Sequence, residues 1–278
     1  MSGRRTQGVA LVAVLWIVAA LSVLVTGMTV SVRQYTRTAG VTRDALSAQA
    51  RGDAAIQIAL QALQAAPSRP AARQSVTVPV WGESVTVLVQ PLSGLIDLDN
   101  APPPLLAELL TTAGGLPSQQ AQTLAQALVE WRSNRTAGSG EPARFEAVED
   151  LLLVPGFDYP LYERVRPLVS ADVVGSGRVN PLAANAGVLA VLANGNAALA
   201  AQVAAAQDAG RVGIDTTGLD PRFLDAGATE RYRLEARVPG EQGKIEVFSR
   251  TVAFGDSASG VPWRTLRTER WVIPADAA

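Results

Sequence analysis

Val9 to Val25 reads VALVAVLWIVAALSVLV, inside a longer stretch, Thr6 to Val32, that carries no charged side chain. At about 1.5 Å of rise per helical residue, ~20 apolar residues cross the roughly 30 Å hydrocarbon core of a bilayer. The stretch therefore predicts a transmembrane helix over 9–32. A cleaved secretory signal is the competing reading, but it requires a shorter apolar core closed by a small-x-small site, and no such site ends this one cleanly. Arg4 and Arg5 precede the apolar run, so the positive-inside bias holds the short tail in the cytoplasm and sends the rest outward; Arg33 and Arg37 oppose this, but the bulk of the chain has nowhere else to go.

The helical pattern continues past the apolar run. No proline occurs before Pro67, and Arg33 to Ala66 is rich in Ala, Gln, Leu and Arg, so one helix is expected from about Val9 to Ala66. In its outer half Val41, Ala45, Ala48, Gly52, Ala55, Ala59 and Leu63 recur at steps of three and four. That smooth stripe suits either a partner surface or the chain's own sheet. Gly27, Gly40 and Gly52 each cost about 1 kcal/mol relative to alanine in a helix interior, and so mark bends or close contacts.

After Pro67-Ser68-Arg69-Pro70 the period changes to two. Val76, Val78 and Val80 and then Val85, Val87 and Val89 flank the turn at Trp81-Gly82-Glu83-Ser84, which predicts a β-hairpin. Alternation returns near the C-terminus in Tyr232, Leu234, Ala236 and Val238, in Ile245 and Val247 after a turn over 239–244, and in a strand through Trp263 to Ile273. Between the two strand groups the pattern is helical, so the fold class is α+β, with a helical module inserted into an antiparallel sheet. The insert holds a gapless repeat at an offset of 83 residues: Gly94-Leu95-Ile96-Asp97 leads to Leu105-Leu106-Ala107, and Gly177-Arg178-Val179-Asn180 leads to Val188-Leu189-Ala190. Asp99, Asn100 and Asn185 are natural N-cap acceptors for the helices that follow, and Pro102 to Pro104 suit a first turn. Further helices are expected over 118–131, 145–154 and 160–169.

The last two would form a helical hairpin around Pro155-Gly156-Phe157-Asp158. Such hairpins can bind phosphates through backbone N–H groups, but Asp158 stands where a second glycine would admit one, and Glu146, Glu149 and Asp150 add negative charge, so no nucleic-acid partner is expected. Composition removes further chemistry. The 278 residues carry a formal net charge of -1, no cysteine, no histidine and one lysine, Lys244, which excludes disulfides, thiolate or imidazole metal ligands and Ser-His-Asp or Cys-His nucleophiles. With 48% hydrophobic and 18% charged residues the chain is a folded one. The remaining acid–base candidates are Asp97 with Asp99 and the cluster Glu141, Glu146, Glu149 and Asp150. Such a cluster also suits Ca²⁺, although no EF-hand spacing is present, so no catalytic residue and no firm metal ligand is assigned.

The N-terminus Arg4-Arg5-Thr6-Gln7-Gly8 followed by VALVAVLW resembles a type IV prepilin leader. With GLIDLDNAPPPLLAELL, ALVEWR, FEAVEDLLLVPG and GRVNPLAANAGVLAVL, over about residues 4–193, the chain resembles the minor pseudopilin K family of type II secretion systems. The resemblance implies cleavage by a prepilin peptidase between Gly8 and Val9, N-methylation of Val9, and a pilin-like fold whose long N-terminal helix packs on the sheet. It implies a leader at 1–8, a membrane helix at 9–32, the rest of the helix and first hairpin at 33–93, a helical insert resembling SAM and helix-hairpin-helix domains at 94–205, and C-terminal strands at 206–278. It implies a single-pass inner-membrane protein with a periplasmic C-terminal domain, non-enzymatic, that initiates and caps the pseudopilus tip in protein export across the outer membrane. Its partners would be minor pseudopilins of the I, J and H types, the inner-membrane assembly platform and secreted substrates. Most pilins place a glutamate at the fifth mature residue; Ala13 stands there, as is typical of the K family, and a subunit with none above it has no neighbouring amine to neutralise. The acids that usually follow the Trp-Arg pair are replaced by Ser133-Asn134-Arg135, which leaves the calcium site of the family without ligands at those positions. A minor pilin of a type IV pilus or competence apparatus, a membrane-tethered helix-hairpin-helix DNA binder and a membrane-anchored hydrolase remain as alternatives.

Overall fold

The computed structural model describes residues 6–134, 144–211, 213–227, 229–240, 243–255 and 260–274, with side chains in the first helix given for 12–21 and 43–65. Helix α1, Thr6–Ala65, is a single 60-residue element and ends where Pro67 and Pro70 forbid its continuation. The chain divides within it into two compact units, Met1–Ala50 and Arg51–Ala278. In the first, every described side chain from Val12 to Leu21 is exposed, Trp16 at 73%. Among the described residues no helix is long and apolar enough to cross a membrane. Of the span expected over 9–32, only residues 12–21 have described side chains.

The second unit is built on a five-stranded sheet of order β1-β2-β5-β6-β7, antiparallel throughout. Strands β1 (Gln74–Val80) and β2 (Glu83–Pro91) form the expected hairpin, joined by Trp81 and Gly82, both at positive φ as a two-residue type I′ turn requires. Strands β5 (Arg231–Pro239), β6 (Lys244–Phe254) and β7 (Trp263–Pro274) follow the C-terminal alternation. The last turns of α1 lie on one face of this sheet, with Ala55, Ile56, Ala59, Leu60 and Leu63 buried. Burying Ile56 and Leu60 fully contributes about 1.5–3 kcal/mol each. Gly52 is a close contact, for a Cβ there would overlap the Phe248 ring of β6. From Gly52 to Leu63 the small-residue stripe is thus the chain's own core.

Between β2 and β5 the chain leaves the sheet, builds the helical module and re-enters beside the strand it left. The module contains α2 (Pro103–Thr112), α3 (Ser118–Asn134), α4 (Tyr159–Val165), α5 (Ala186–Leu192) and α6 (Ala197–Asp208) around a continuous apolar core that runs from Leu92 to Phe223. Two short strands, β3 (Ile96–Asp97) and β4 (Val169–Ser170), pair in parallel, a feature absent from the sequence reading because each is two residues long. The 83-residue repeat is obeyed in space, since α2 and α5 start at equivalent positions, Pro103 and Ala186. The copies also pack reciprocally: a Cβ on Gly94 would overlap the Ala183 carbonyl, and one on Gly177 would overlap the carbonyl of Asn100, the first-copy equivalent of Ala183.

Three local expectations are corrected. The helix expected over 145–154 is a 3₁₀ segment, Val148–Leu153, because the Asp150 carboxylate accepts the Glu146 and Ala147 N–H groups at 2.8 and 3.3 Å, and Pro155 follows. The helix expected over 160–169 stops at Val165, continues as a 3₁₀ turn to Leu168 where Pro167 lacks an N–H, and gives way to β4. Asp99 and Asn100 do not cap α2, whose N-cap is Pro102, whereas Asn185 does cap α5, accepting the Val188 N–H at 2.9 Å.

Gly177 has φ +76° as well as the carbonyl contact, so Gly177→Ala is expected to cost about 3 kcal/mol or more, through left-handed strain and displacement of Asn100. Denaturant unfolding measures it. A loss no larger than that of Gly175→Ala, where a Cβ meets nothing within 4 Å, would contradict the reciprocal packing.

Candidate functional site

Of the acidic residues singled out by the sequence, Asp97 and Asp99 meet at one node, where the repeat, α3 and Phe145 come together. Asp97, 1% exposed at the end of β3, accepts hydrogen bonds from the backbone N–H groups of Asp99 (2.9 Å) and Asn100 (3.3 Å) and from the Asn100 amide (2.7 Å). Asp99 accepts the Phe145 N–H at 2.8 Å. Arg132 of α3 reaches back and donates to the Leu98 and Ala101 carbonyls, each at 3.0 Å. Trp131 beside it stacks on Phe145, with ring centroids 4.5 Å apart. The motifs DLDN, VEWR and FEAVED therefore meet as one clasp that fixes the entry to α2.

Burial raises the pKa of Asp97 and of Asp99, while their hydrogen bonds and Arg132 pull the other way. The Arg132 guanidinium is lowered by the same burial. With both Asp97 oxygens engaged by neighbouring donors, the pair is occupied in holding backbone. The remaining acids are similarly placed: Asp158 caps α4, accepting from the Leu161 N–H at 2.9 Å, and Glu149 accepts from Tyr162 at 3.1 Å and faces Arg267 at 3.9 Å. The Tyr162 phenol is pushed up to about 12, first by burial and then by Glu149. Among the described residues no group of three or more acidic side chains is placed to hold a metal. Glu141 and Arg135 lie outside the described residues, and the Ser133 hydroxyl donates to the Val129 carbonyl at 2.8 Å.

The residues expected at the N-terminal processing site are described only in part. Arg4 and Arg5 lie outside the described residues; Gly8 and Val9 have helical backbone in the first turns of α1; Ala13 is exposed. At the other end of the helix an apolar groove of about 450 Å³ opens between α1 and the edge strand β1, with Ile58, Ala62, Val76 and Val78 in its walls. Sequence reading missed a group of side chains that ties the second repeat copy to the sheet. Asn180, the equivalent of Asp97, donates to the Ala71 carbonyl at 2.7 Å, and Gln90 and Gln207 donate to the carbonyls of Ala183 (3.2 Å) and Pro181 (2.6 Å). Lone amides carry no spacing signal that would have marked them.

No family model matches the chain, and no curated protein matches it. A search of solved structures finds a likeness to a chain of the GspK–GspI–GspJ complex of the type 2 secretion system of enterotoxigenic Escherichia coli. Identity is 14%, the TM-score is 0.48, and the alignment covers 86% of this chain and 98% of that one.

Because the native state raises the Asp97 pKa above its unfolded value near 3.8, the fold binds that proton more tightly than the unfolded chain. This contribution to stability is complete below about pH 3.8 and is lost as pH rises through the folded-state value. Asp97→Asn should keep the turn bond that Asn180 makes in the second copy and lose the Asn100 amide contact, at a cost of about 1–2 kcal/mol near neutral pH. Its disadvantage relative to the parent should widen as pH falls toward 4, checked by urea unfolding across that range; a gap that narrows would contradict the sign.

Proposed function

We propose that this chain is a non-enzymatic minor pseudopilin of a type II secretion system, which initiates and caps the pseudopilus tip. The observation that carries the reading is the form of α1. One uninterrupted helix presents an exposed apolar surface at Val12–Leu21, while its final turns are buried in an antiparallel sheet interrupted by a bulky helical module. Exposed, contiguous apolar surface of that kind needs lipid or a partner helix. The motif resemblance adds the leader ending at Gly8. In this reading residues 1–8 are removed, Val9 is methylated, 9–32 spans the inner membrane with the N-terminus cytoplasmic, and the sheet with its insert lies in the periplasm.

Assembly follows from the same parts. Extraction of α1 from the bilayer exchanges lipid contacts for contacts with the helices of other minor pseudopilins, a nearly even exchange for apolar side chains. Ala13 leaves no carboxylate to bury in that bundle. The groove beside Ile58 and the open edge of β1 offer a lateral surface, and the insert supplies the bulk that blocks addition above.

Gly8→Ala is expected to keep its first eight residues and to accumulate in the membrane outside the assembled tip. Intact-mass measurement of the chain from its native host distinguishes a mature form starting at N-methylated Val9 from the uncut one. A parent chain that works while still carrying residues 1–8, or a mutant cut as efficiently as the parent, would overturn the reading.

A further inference from the structure

The sheet face turned away from α1 is not apolar. Register aligns Gln90, Arg233, Thr251 and Arg267 in one row across β2, β5, β6 and β7, then Leu88, Glu235, Ser249 and Glu269, then Thr86, Arg237, Val247 and Trp271. The helical module covers these rows incompletely and leaves a cleft of about 540 Å³, whose opposite wall includes Glu149, Glu163, Arg166 and Asn185, with Arg73 at the side.

Most charges here are spoken for. Arg166 pairs with Glu269 at 3.2 Å, Arg267 faces Asp172 at 3.4 Å and Glu149 at 3.9 Å, and Arg73 faces Asp208 at 3.5 Å. Three charged side chains of β5 differ: among the described residues Arg233, Glu235 and Arg237 make no side-chain hydrogen bond and no ion pair within 4.0 Å, although all three line the cleft. The Arg233 Nε is fully buried without a partner, and so are the hydroxyls of Ser249 and Thr251, which stand beside Glu235 and Arg233 on β6. Arg233 and Arg237 thus present guanidinium groups with no described carboxylate within 4.0 Å to a cleft that Arg73 also lines, which suits a ligand that supplies several oxygens at once.

We propose that this cleft binds a small oxyanion, of the phosphate or polycarboxylate class, held by the Arg233 and Arg237 guanidinium groups on the β5 face. The site lies between the sheet and the helical module, which suits a small free solute. The Glu235 carboxyl between the two arginines is held above its usual range, by burial first, against the pull of Arg233, Arg237 and Arg73 and with help from Glu269. Its protonated form offers a further donor and removes the carboxylate charge that stands between the two arginines.

The test is thermal unfolding and titration calorimetry of the full-length chain in detergent micelles, with sodium phosphate and with sodium citrate, against sodium chloride at equal ionic strength. A saturable rise in Tm with either oxyanion and none with chloride is expected; a signal from only one of the two identifies the class of ligand. Arg237→Gln, with far-UV circular dichroism and melting in chloride matching the parent, should bind about tenfold more weakly or worse, the usual effect of losing one charge-assisted hydrogen bond. Glu235→Gln should bind at least as tightly. No saturable response beyond chloride, a response unchanged in Arg237→Gln, or loss of binding in Glu235→Gln, which would mark a cation site instead, would each overturn the proposal.

Discussion

Backbone meets backbone twice in the helical module, Gly94 on the Ala183 carbonyl and Gly177 on the Asn100 carbonyl, and the rest of the second unit depends on those approaches. An insert between hydrogen-bonded neighbours β2 and β5 must return its chain to within one strand spacing of where it left, roughly 4.8 Å. The reciprocal contact solves this by setting the two repeat copies face to face at the sheet margin. Around it the Asn180 N–H donates to the Ser93 carbonyl and the Arg73 N–H to the Leu182 carbonyl, so entry strand, linker and second copy are tied at one place. Side chains at either glycine would separate the copies and, with them, the ends of β2 and β5.

That arrangement was half legible in the sequence. The repeat was visible because glycine, β-branched residue and short polar residue recur in order, and the strands were visible because β5 alternates over its nine residues and β6 opens on Ile245 and Val247. What the repeat meant was not visible, since a glycine at a carbonyl contact and a glycine in an ordinary turn read alike until both partners are placed. The short elements failed for a related reason. Asp150, Pro155 and Pro167 each act on one or two backbone groups, too locally for an eleven-residue periodicity to register, and they turn two expected helices into 3₁₀ and strand. The carboxylates are the plainest case. Asp97 and Asp99 looked like a pair with chemistry to offer, and what separates a catalytic acid from a clasp is the set of donors around it, which comes from Asn100 nearby and Phe145 far along the chain.

The two faces of the sheet divide the labour. Toward α1 the contacts are apolar and close, with Gly52 against Phe248, and Asp53 with Arg250 and Arg51 with Glu83 at the margins. Toward the helical module the contacts are ionic, long-range in sequence and incompletely satisfied. An apolar interface with a glycine at its centre tolerates little sliding, because any displacement opens a void or forces an overlap. A load on the last turns of α1 therefore passes to the sheet with little slack. The opposite face is held by ion pairs across a solvated cleft, where each pair is worth little alone and can be exchanged for another at small cost. The module is therefore anchored mainly where its chain crosses into β2 and β5, through the glycine–carbonyl contacts, and its cover over the Arg-Glu-Arg row of β5 is the part of the unit most open to change by a bound ion or a neighbouring subunit.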